Sequence, residues 1–457
     1  MKTLKHFVPV LCLFISCHCF SQQIIPLPNA NSPQAAYIDI ATADNEVYRL
    51  GQKSSQGNAR LYLISKFDGI TWTDVDTFTL DGFHNSARAL YWHRDTLYIG
   101  GNFFRFKGIT GANQIVGYAN GNYFPIGTGL ETDTISMYTN HIVAITKYQD
   151  KLMVGGQLSI HGGTQFHPLA QWTGNSWINF GPALTNPDCL IGTTVSAFTV
   201  DSNRLYVRGD FVYAGNLYAN LLAYYENGSY HAIGSSMPQY DVLDAFRRPA
   251  TFLGNEIFNV QQDTGAIWRV TKWDGNQWTN VFTVPGPDQF IHDIFPFGNK
   301  LLIAGSQHLS GGNLDAIVTY SNGTIEHPFS FALHSEIYRF FNFRGTTYFI
   351  GNYSFTGSNN YYEFGKLENT SDVPVVGNET NVQVYPNPCE NEMFVTGNFS
   401  QKMLLSIKDL QGRVVQTATI ESGPQLQAIN TTQLPGGVYL LDFSAGGMQI
   451  TRKLVKQ

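Results

Sequence analysis

The chain has 457 residues, of which 14% are aromatic and only 14% charged, and it contains 44 glycines. That length exceeds one ordinary domain unless the domain is built from repeats, and the composition suits a β-rich exported protein better than a helical cytosolic one. The formal charge of −6 becomes −8 once Lys2 and Lys5 leave with the leader described next. The basic residues form no cluster, so a nucleic-acid surface is not expected.

Residues 1–21 read as a secretory leader. Lys2 and Lys5 form its positive end, Phe7 to Ile15 its apolar run, and Cys19-Phe20-Ser21 a small-x-small cleavage site before Gln22. The apolar run is too short to span a bilayer, and no later stretch qualifies as a transmembrane segment. Cys12, Cys17 and Cys19 lie in the leader, leaving Cys189 and Cys389. One pair is no disulfide framework, so packing must hold the fold, and both cysteines read as small apolar residues.

From residue 22 to 368 an internal repeat organises the chain. A first tight turn is marked by Asn45, Asp95, Asp150, Asn203, Asn255, Asn299 and Gly345, on average 50 residues apart. Each is followed by an apolar strand such as Leu97-Tyr98-Ile99-Gly100-Gly101. A second hairpin is bracketed by residues five apart: Phe67/Trp72, Tyr118/Tyr123, Trp172/Trp177, Tyr225/Tyr230, Trp273/Trp278 and Tyr320/Ile325. A two-residue loop would place each pair face to face across the strands. Gly69, Gly174 and Gly275 then open loops of type II′, and Asn120-Gly121, Asn227-Gly228 and Asn322-Gly323 form type I′ loops.

Four short strands per unit of about 50 residues is the arithmetic of a β-propeller blade. The seventh unit lacks its fourth strand, and Ile24 to Pro28 matches Phe124 to Gly127 of the second, so the N-terminal strand is expected to complete the last blade. The expected fold is therefore all-β: a seven-bladed β-propeller at 22–368 closed by the N-terminal strand, a linker at 369–381, and a small Ig-like β-sandwich at 382–457.

The Gly-Gly doublets at Gly100-Gly101 and Gly155-Gly156, each with a following aromatic hairpin, resemble the kelch and galactose-oxidase-like propellers. The doublet is lost at Val260-Gln261, so no kelch partner and no copper-oxidase chemistry is carried over. The C-terminal residues resemble another family more closely. Tyr385-Pro386-Asn387-Pro388, Asp409 to Arg413, Leu434 to Tyr439 with Gly437, and Lys453-Leu454-Val455 look like the sorting domain of type IX secretion substrates, with Gly412, Arg413, Tyr439 and Lys453 among its landmarks. The resemblance implies a Gram-negative host, passage through the periplasm, then delivery by the type IX machinery to the cell surface or the medium. In that family the domain is commonly cleaved off. Read from the residues alone, Asn387-Pro388 and Gly412 are turns, and Val438, Leu440 and Phe443 are core.

No catalytic motif, no metal-ligand spacing and no cofactor signature is present, so no catalytic residue, metal or cofactor is expected. Trp273-Asp274-Gly275 is similar to a sialidase Asp-box, but turn chemistry explains the same residues. His161 and His167 share a long loop without a carboxylate at matching spacing. Loop length points instead to the loops between second and third strands and between blades, which in a propeller open on one face. Phe104, Phe106, Lys107, Tyr138, Phe166, His167, Tyr213 and Tyr218 are the candidate ligand contacts there. A binding module for a glycan or a protein is the first reading. A hydrolase or lyase using loop carboxylates such as Asp133 or Asp188 is the second, and a structural surface protein the third.

Overall fold

The computed structural model describes residues 21–27, 36–56, 59–81, 85–130, 141–158, 167–187, 193–201, 203–234, 250–262, 267–284, 289–306, 315–358, 360–370, 383–385, 387–399, 402–409, 412–445 and 448–456. Residues 1–20 of the leader, most of the linker, and the residues Asp133, Tyr138, His161, Phe166, Asp188, Cys189 and Pro386 lie outside them. The chain divides into two compact units, one spanning Gln22–Asn369 and the other holding the residues from Thr370 onward.

Among the described residues, the first unit contains seven four-stranded antiparallel sheets. Five use strands consecutive in sequence, and the fourth does so apart from a hairpin inserted between its second and third strands. In the first, Ala36–Thr42, Val47–Gln56, Ala59–Phe67 and Trp72–Asp81 pair in that order, and the second runs from Ser86–His93 to Asn122–Pro125 in the same manner. The seventh joins both ends of the unit: Glu336–Phe343, Thr346–Tyr353 and Tyr362–Thr370 are followed by the N-terminal strand Ser21–Pro26.

All six residue pairs read from the sequence face each other across their outer hairpins, from Phe67 opposite Trp72 to Tyr320 opposite Ile325. Asn120-Gly121, Asn227-Gly228 and Asn322-Gly323 carry two consecutive positive φ angles, as a type I′ turn requires. The other three loops are held from outside. The Asp68 carboxylate accepts the N–H groups of Ile70 and Thr71, and Asp274 accepts those of Asn276 and Gln277, all at 2.8 Å. The hydroxyl of Thr173 accepts Ser176 N–H at 3.1 Å in the same place. Asp274 is thus a turn cap.

The glycine doublets have a packing cause. In the first strands of sheets one to four, six and seven the register shifts by one residue, for example between Ala87 and Ala89 and between Ile142 and Ala144. Each bulge brings a carbonyl toward the second strand. A Cβ on Gly101, Gly156, Gly209 or Gly351 would lie 2.1, 1.9, 2.1 or 2.2 Å from the carbonyl oxygen of Ser86, His141, Thr194 or Glu336. The first glycine of a doublet admits the next sheet instead: a Cβ on Gly100 would meet Ile142 at 2.6 Å. Sheet five, where Val260-Gln261 replaces the doublet, has a first strand of only three residues, Thr251–Leu253, with no register shift. Arg208 of sheet four fills that region by donating to the Val260 carbonyl at 2.6 Å.

Seven apolar clusters lie between the sheets, each shared by two. Tyr62 and Phe78 of the first sheet meet Leu97 and Val116 of the second, and so on along the chain. The last cluster returns to the start, with Phe341, Phe343 and Phe364 of sheet seven on Val47, Phe67 and Trp72 of sheet one. Full burial of such side chains contributes roughly 1.5–3 kcal/mol each.

In the second unit, Gln383–Tyr385, Glu392–Phe399 and Gly423–Asn430 form one sheet, and Val414–Ile420, Met403–Lys408, Gly437–Ala445 and Met448–Lys456 another. They share a core that includes Cys389, Met393, Leu405, Leu441, Phe443 and Leu454. Phe443 is a core residue as expected, but Leu440 is 37% exposed. Strand alternation turns Tyr439, Leu441 and Phe443 inward and leaves Leu440 on the opposite face.

Candidate functional site

The first strands of sheets one to four and seven line a cavity of 350 Å³, which includes Asp39, Thr42, Trp92, Thr146, Ser196 and Arg339. Asp39 follows the bulge of sheet one, Asp293 that of sheet six and Arg339 that of sheet seven. These three charges tie neighbouring sheets together. The Asp39 carboxylate accepts Leu90 N–H at 2.7 Å, and Asp293 accepts Phe340 N–H at 2.8 Å while lying 3.9 Å from the Arg339 guanidinium. Burial disfavours the Arg339 charge, but Asp293, Tyr37 and Asp39 outweigh it and raise its pKa. Burial raises the pKa of Asp293, opposed by Arg339 and by the N–H groups of Phe340 and Ile294. The carboxylates already serve as acceptors for sheet-to-sheet bonds, so the trio closes the inner strands.

The loop residues chosen from sequence do not gather at this cavity; none of the described ones lines it. Phe106 is corrected outright: it is 0% exposed and packs on Phe78, Phe103 and Tyr123 at centroid distances of 4.7, 5.3 and 4.9 Å. It is a core residue of its loop, and cannot touch a ligand. Phe104 beside it is half-buried. Lys107 is engaged, since its Nζ donates to Asp76 at 2.7 Å and lies 4.7 Å from the centroid of Tyr123, whose hydroxyl donates to the same carboxylate at 2.7 Å. Burial pushes the Asp76 pKa up, but the bonds from Lys107 and Tyr123 bring it below the ordinary value. His167 is half-buried, donates through Nδ1 to the Leu169 carbonyl at 2.9 Å, and has its pKa lowered by burial. These partners make Lys107 and His167 structural residues of their loops.

Tyr213 and Tyr218 differ from the rest. Tyr213–Ala214 and Leu217–Tyr218 form a short hairpin that pairs with Leu184–Thr185 as an additional three-stranded sheet. Gly215, at φ 59°, makes its turn and donates to the Ala183 carbonyl at 2.8 Å. Tyr213, Leu217 and Tyr218 are 37, 45 and 41% exposed, a local concentration of apolar surface that the hairpin's own packing does not use. The hairpin lies against Ser229–Ala232, the outer strand of sheet four, and so stands at the rim, away from the inner strands. Between them is a cavity of 430 Å³. Tyr230 lines it, is 4% exposed, and its hydroxyl finds no hydrogen-bond partner among the described residues. An unpaired buried hydroxyl costs about 1–3 kcal/mol.

The C-terminal landmarks act as clasps. The Asn387 side chain donates to the Lys453 carbonyl at 2.7 Å and accepts Val455 N–H at 2.8 Å, while Cys389 N–H donates to the Val455 carbonyl at 2.8 Å. This segment therefore pairs with the edge of the last strand. Gly412, at φ 81°, closes a turn in which Asp409 accepts both the backbone N–H and the guanidinium of Arg413, at 3.0 and 2.7 Å. Tyr439 donates to the Pro435 carbonyl at 2.7 Å, Gly437 pairs with Lys456, and Lys453 is exposed.

Residues 383–457 match the model of the secretion system C-terminal sorting domain. The chain thus ends in a type IX sorting tail, which implies contact with that machinery and export to the cell surface or secretion. No sequence among the curated proteins matches the chain. Solved structures that resemble it include the β-propeller domain of the Trilobed protease from Pyrococcus furiosus, at 10% identity and a TM-score of 0.36, covering 64% of this chain and 97% of that one. Another is Bacteroides ovatus Xyloglucan PUL GH43B, at 12% identity and a TM-score of 0.30, covering 94 and 92%. At these scores neither bears on activity. No helix among the described residues is long and apolar enough to cross a membrane.

Proposed function

We propose that this protein is a secreted or surface-displayed recognition module: a seven-bladed β-propeller, closed by its N-terminal strand, that carries a binding surface outside the cell. The cyclic series of apolar clusters, with sheet seven meeting sheet one, supports the ring. The pairing of Ser21–Pro26 beside Tyr362–Thr370 supports its closure. A cleaved leader takes the chain to the periplasm, and the sorting tail, as the small sandwich it forms, takes it across the outer membrane. The doublets that carry the kelch likeness are accounted for by bulge packing, so the likeness extends to architecture and to no kelch partner.

The observation that carries the binding role is the exposed Tyr213–Tyr218 hairpin. Its aromatic surface contributes little to the core and suits either sugar stacking or protein contact. The test is a binding screen of the exported protein against surface polysaccharides and proteins, with product analysis in the same samples. Binding without cleavage is expected; release of new reducing ends or unsaturated sugars would make the protein an enzyme and contradict the proposal. For the export route, deletion of 380–457 is expected to hold the propeller in the periplasm, and unchanged export would refute it.

A further inference from the structure

We infer that the rim groove between the Tyr213–Tyr218 hairpin and the outer strand of sheet four is a binding site for a neutral polysaccharide chain. The inference rests on the recognition-module reading above and names its ligand class.

Three observations converge. The groove's lining contains Pro182 and Leu217 as apolar walls and Thr185, Asn216, Ser229 and Tyr230 as hydrogen-bonding groups, and no charged residue is among the described residues that line it. A pyranose ring has that same division, with C–H faces that rest on apolar or aromatic surface and hydroxyls that need uncharged donors and acceptors. An anionic glycan or an acidic peptide would call for a cation that the lining lacks. Next, Tyr213 and Tyr218 stand beside the groove on the same hairpin with their rings 5.9 Å apart at 79°, and both are exposed. Neither lines the groove itself; their rings add stacking surface on the hairpin whose Ala214 and Leu217 do. Finally, the buried Tyr230 hydroxyl has no hydrogen-bond partner among the described residues, and a ligand hydroxyl or a ligand-bridging water would supply one.

A peptide is disfavoured by the geometry. Extended peptides add to an open sheet edge, and the edge here, Ser229–Ala232, is the strand against which the hairpin lies.

The test is native affinity electrophoresis of the full mature chain in gels containing starch, hydroxyethyl cellulose or mannan, with alginate and polygalacturonate as anionic probes. The variants are Y213A/Y218A and Y230F, each checked by thermal melting. Retardation by at least one neutral polysaccharide is expected, weakened tenfold or more in Y213A/Y218A and about threefold in Y230F, with melting within a few degrees of wild type. Retardation that both variants leave unchanged would overturn the groove as the site while the recognition role stands. Retardation by the anionic probes alone would overturn the ligand class. Retardation by none would overturn the inference, and failure of the same protein to capture any surface protein would end the recognition reading as well.

Discussion

The centre and the rim of the first unit spend polar and apolar groups in opposite ways. At the centre, three charges stand in apolar strands, and two of them make specific bonds between sheets: Asp39 to Leu90, and Asp293 to Phe340 with Arg339 close by. At the rim, Tyr213, Leu217 and Tyr218 are partly exposed to water, and the Tyr230 hydroxyl nearby has no hydrogen-bond partner among the described residues. Charge in the interior is compensated because an isolated one is costly. Apolar side chains on a rim hairpin meet no such demand from the fold. The difference teaches that the polar cluster bonds the inner strands of neighbouring sheets, while the rim hairpin is the part that the proposed binding role uses.

The contrast is broken first at its centre. Asp293→Ala removes the acceptor of Phe340 N–H and one of the two carboxylates that support the Arg339 charge, leaving Asp39, and is expected to destabilise the unit by about 3 kcal/mol in chemical denaturation. A loss below 1 kcal/mol would deny the trio its closing role. Next comes Gly156→Ala, whose Cβ would sit 1.9 Å from the His141 carbonyl. It is expected to cost about 1–3 kcal/mol or more, while Gly121→Ala, open in space but at φ 79°, should cost about 1 kcal/mol. In the tail, Asn387→Ala removes two bonds to the last strand and should cost about 1–2 kcal/mol, read as faster amide exchange at Val455. Asp76 sets a pH dependence. Its folded pKa lies below the ordinary 3.8, so the stability it contributes is complete above that value and is lost as pH falls through the folded pKa. Asp76→Asn is therefore expected to lower stability at neutral pH, where the contribution is complete, and to converge on the wild type as pH falls through the folded pKa, flattening the acid limb. The smallest effect belongs to the rim: Y213A/Y218A should alter stability by less than about 0.5 kcal/mol per site while weakening polysaccharide retardation tenfold or more.

Much of this architecture was legible in the sequence because its signals are local. A pair five residues apart around Asn-Gly fixes its own register, as Tyr225 and Tyr230 do. What was not legible depends on contacts between distant segments. Asp39, Asp293 and Arg339 passed unnoticed, although aligning Ile38-Asp39-Ile40 with His292-Asp293-Ile294 and Tyr338-Arg339-Phe340 shows a charge at one repeat position in otherwise apolar strands. Phe106 was misread because loop membership was taken for exposure, whereas this loop folds its phenylalanine into the cluster under Phe78 and Phe103. Tyr213 and Tyr218 were expected on a face around the channel. Their hairpin does meet a between-blade connection, through Leu184–Thr185, but its place against the outer strand Ser229–Ala232 is one that no local pattern foretells.

Hydrogen–deuterium exchange of the full mature chain, with and without the neutral polysaccharide that retards it, tests the division between centre and rim most directly. Protection at 182–185 and 213–230, with the inner-strand segments around Asp39 and Arg339 unchanged, is the predicted result. Protection confined to those inner strands, with the rim hairpin exchanging as before, would contradict it.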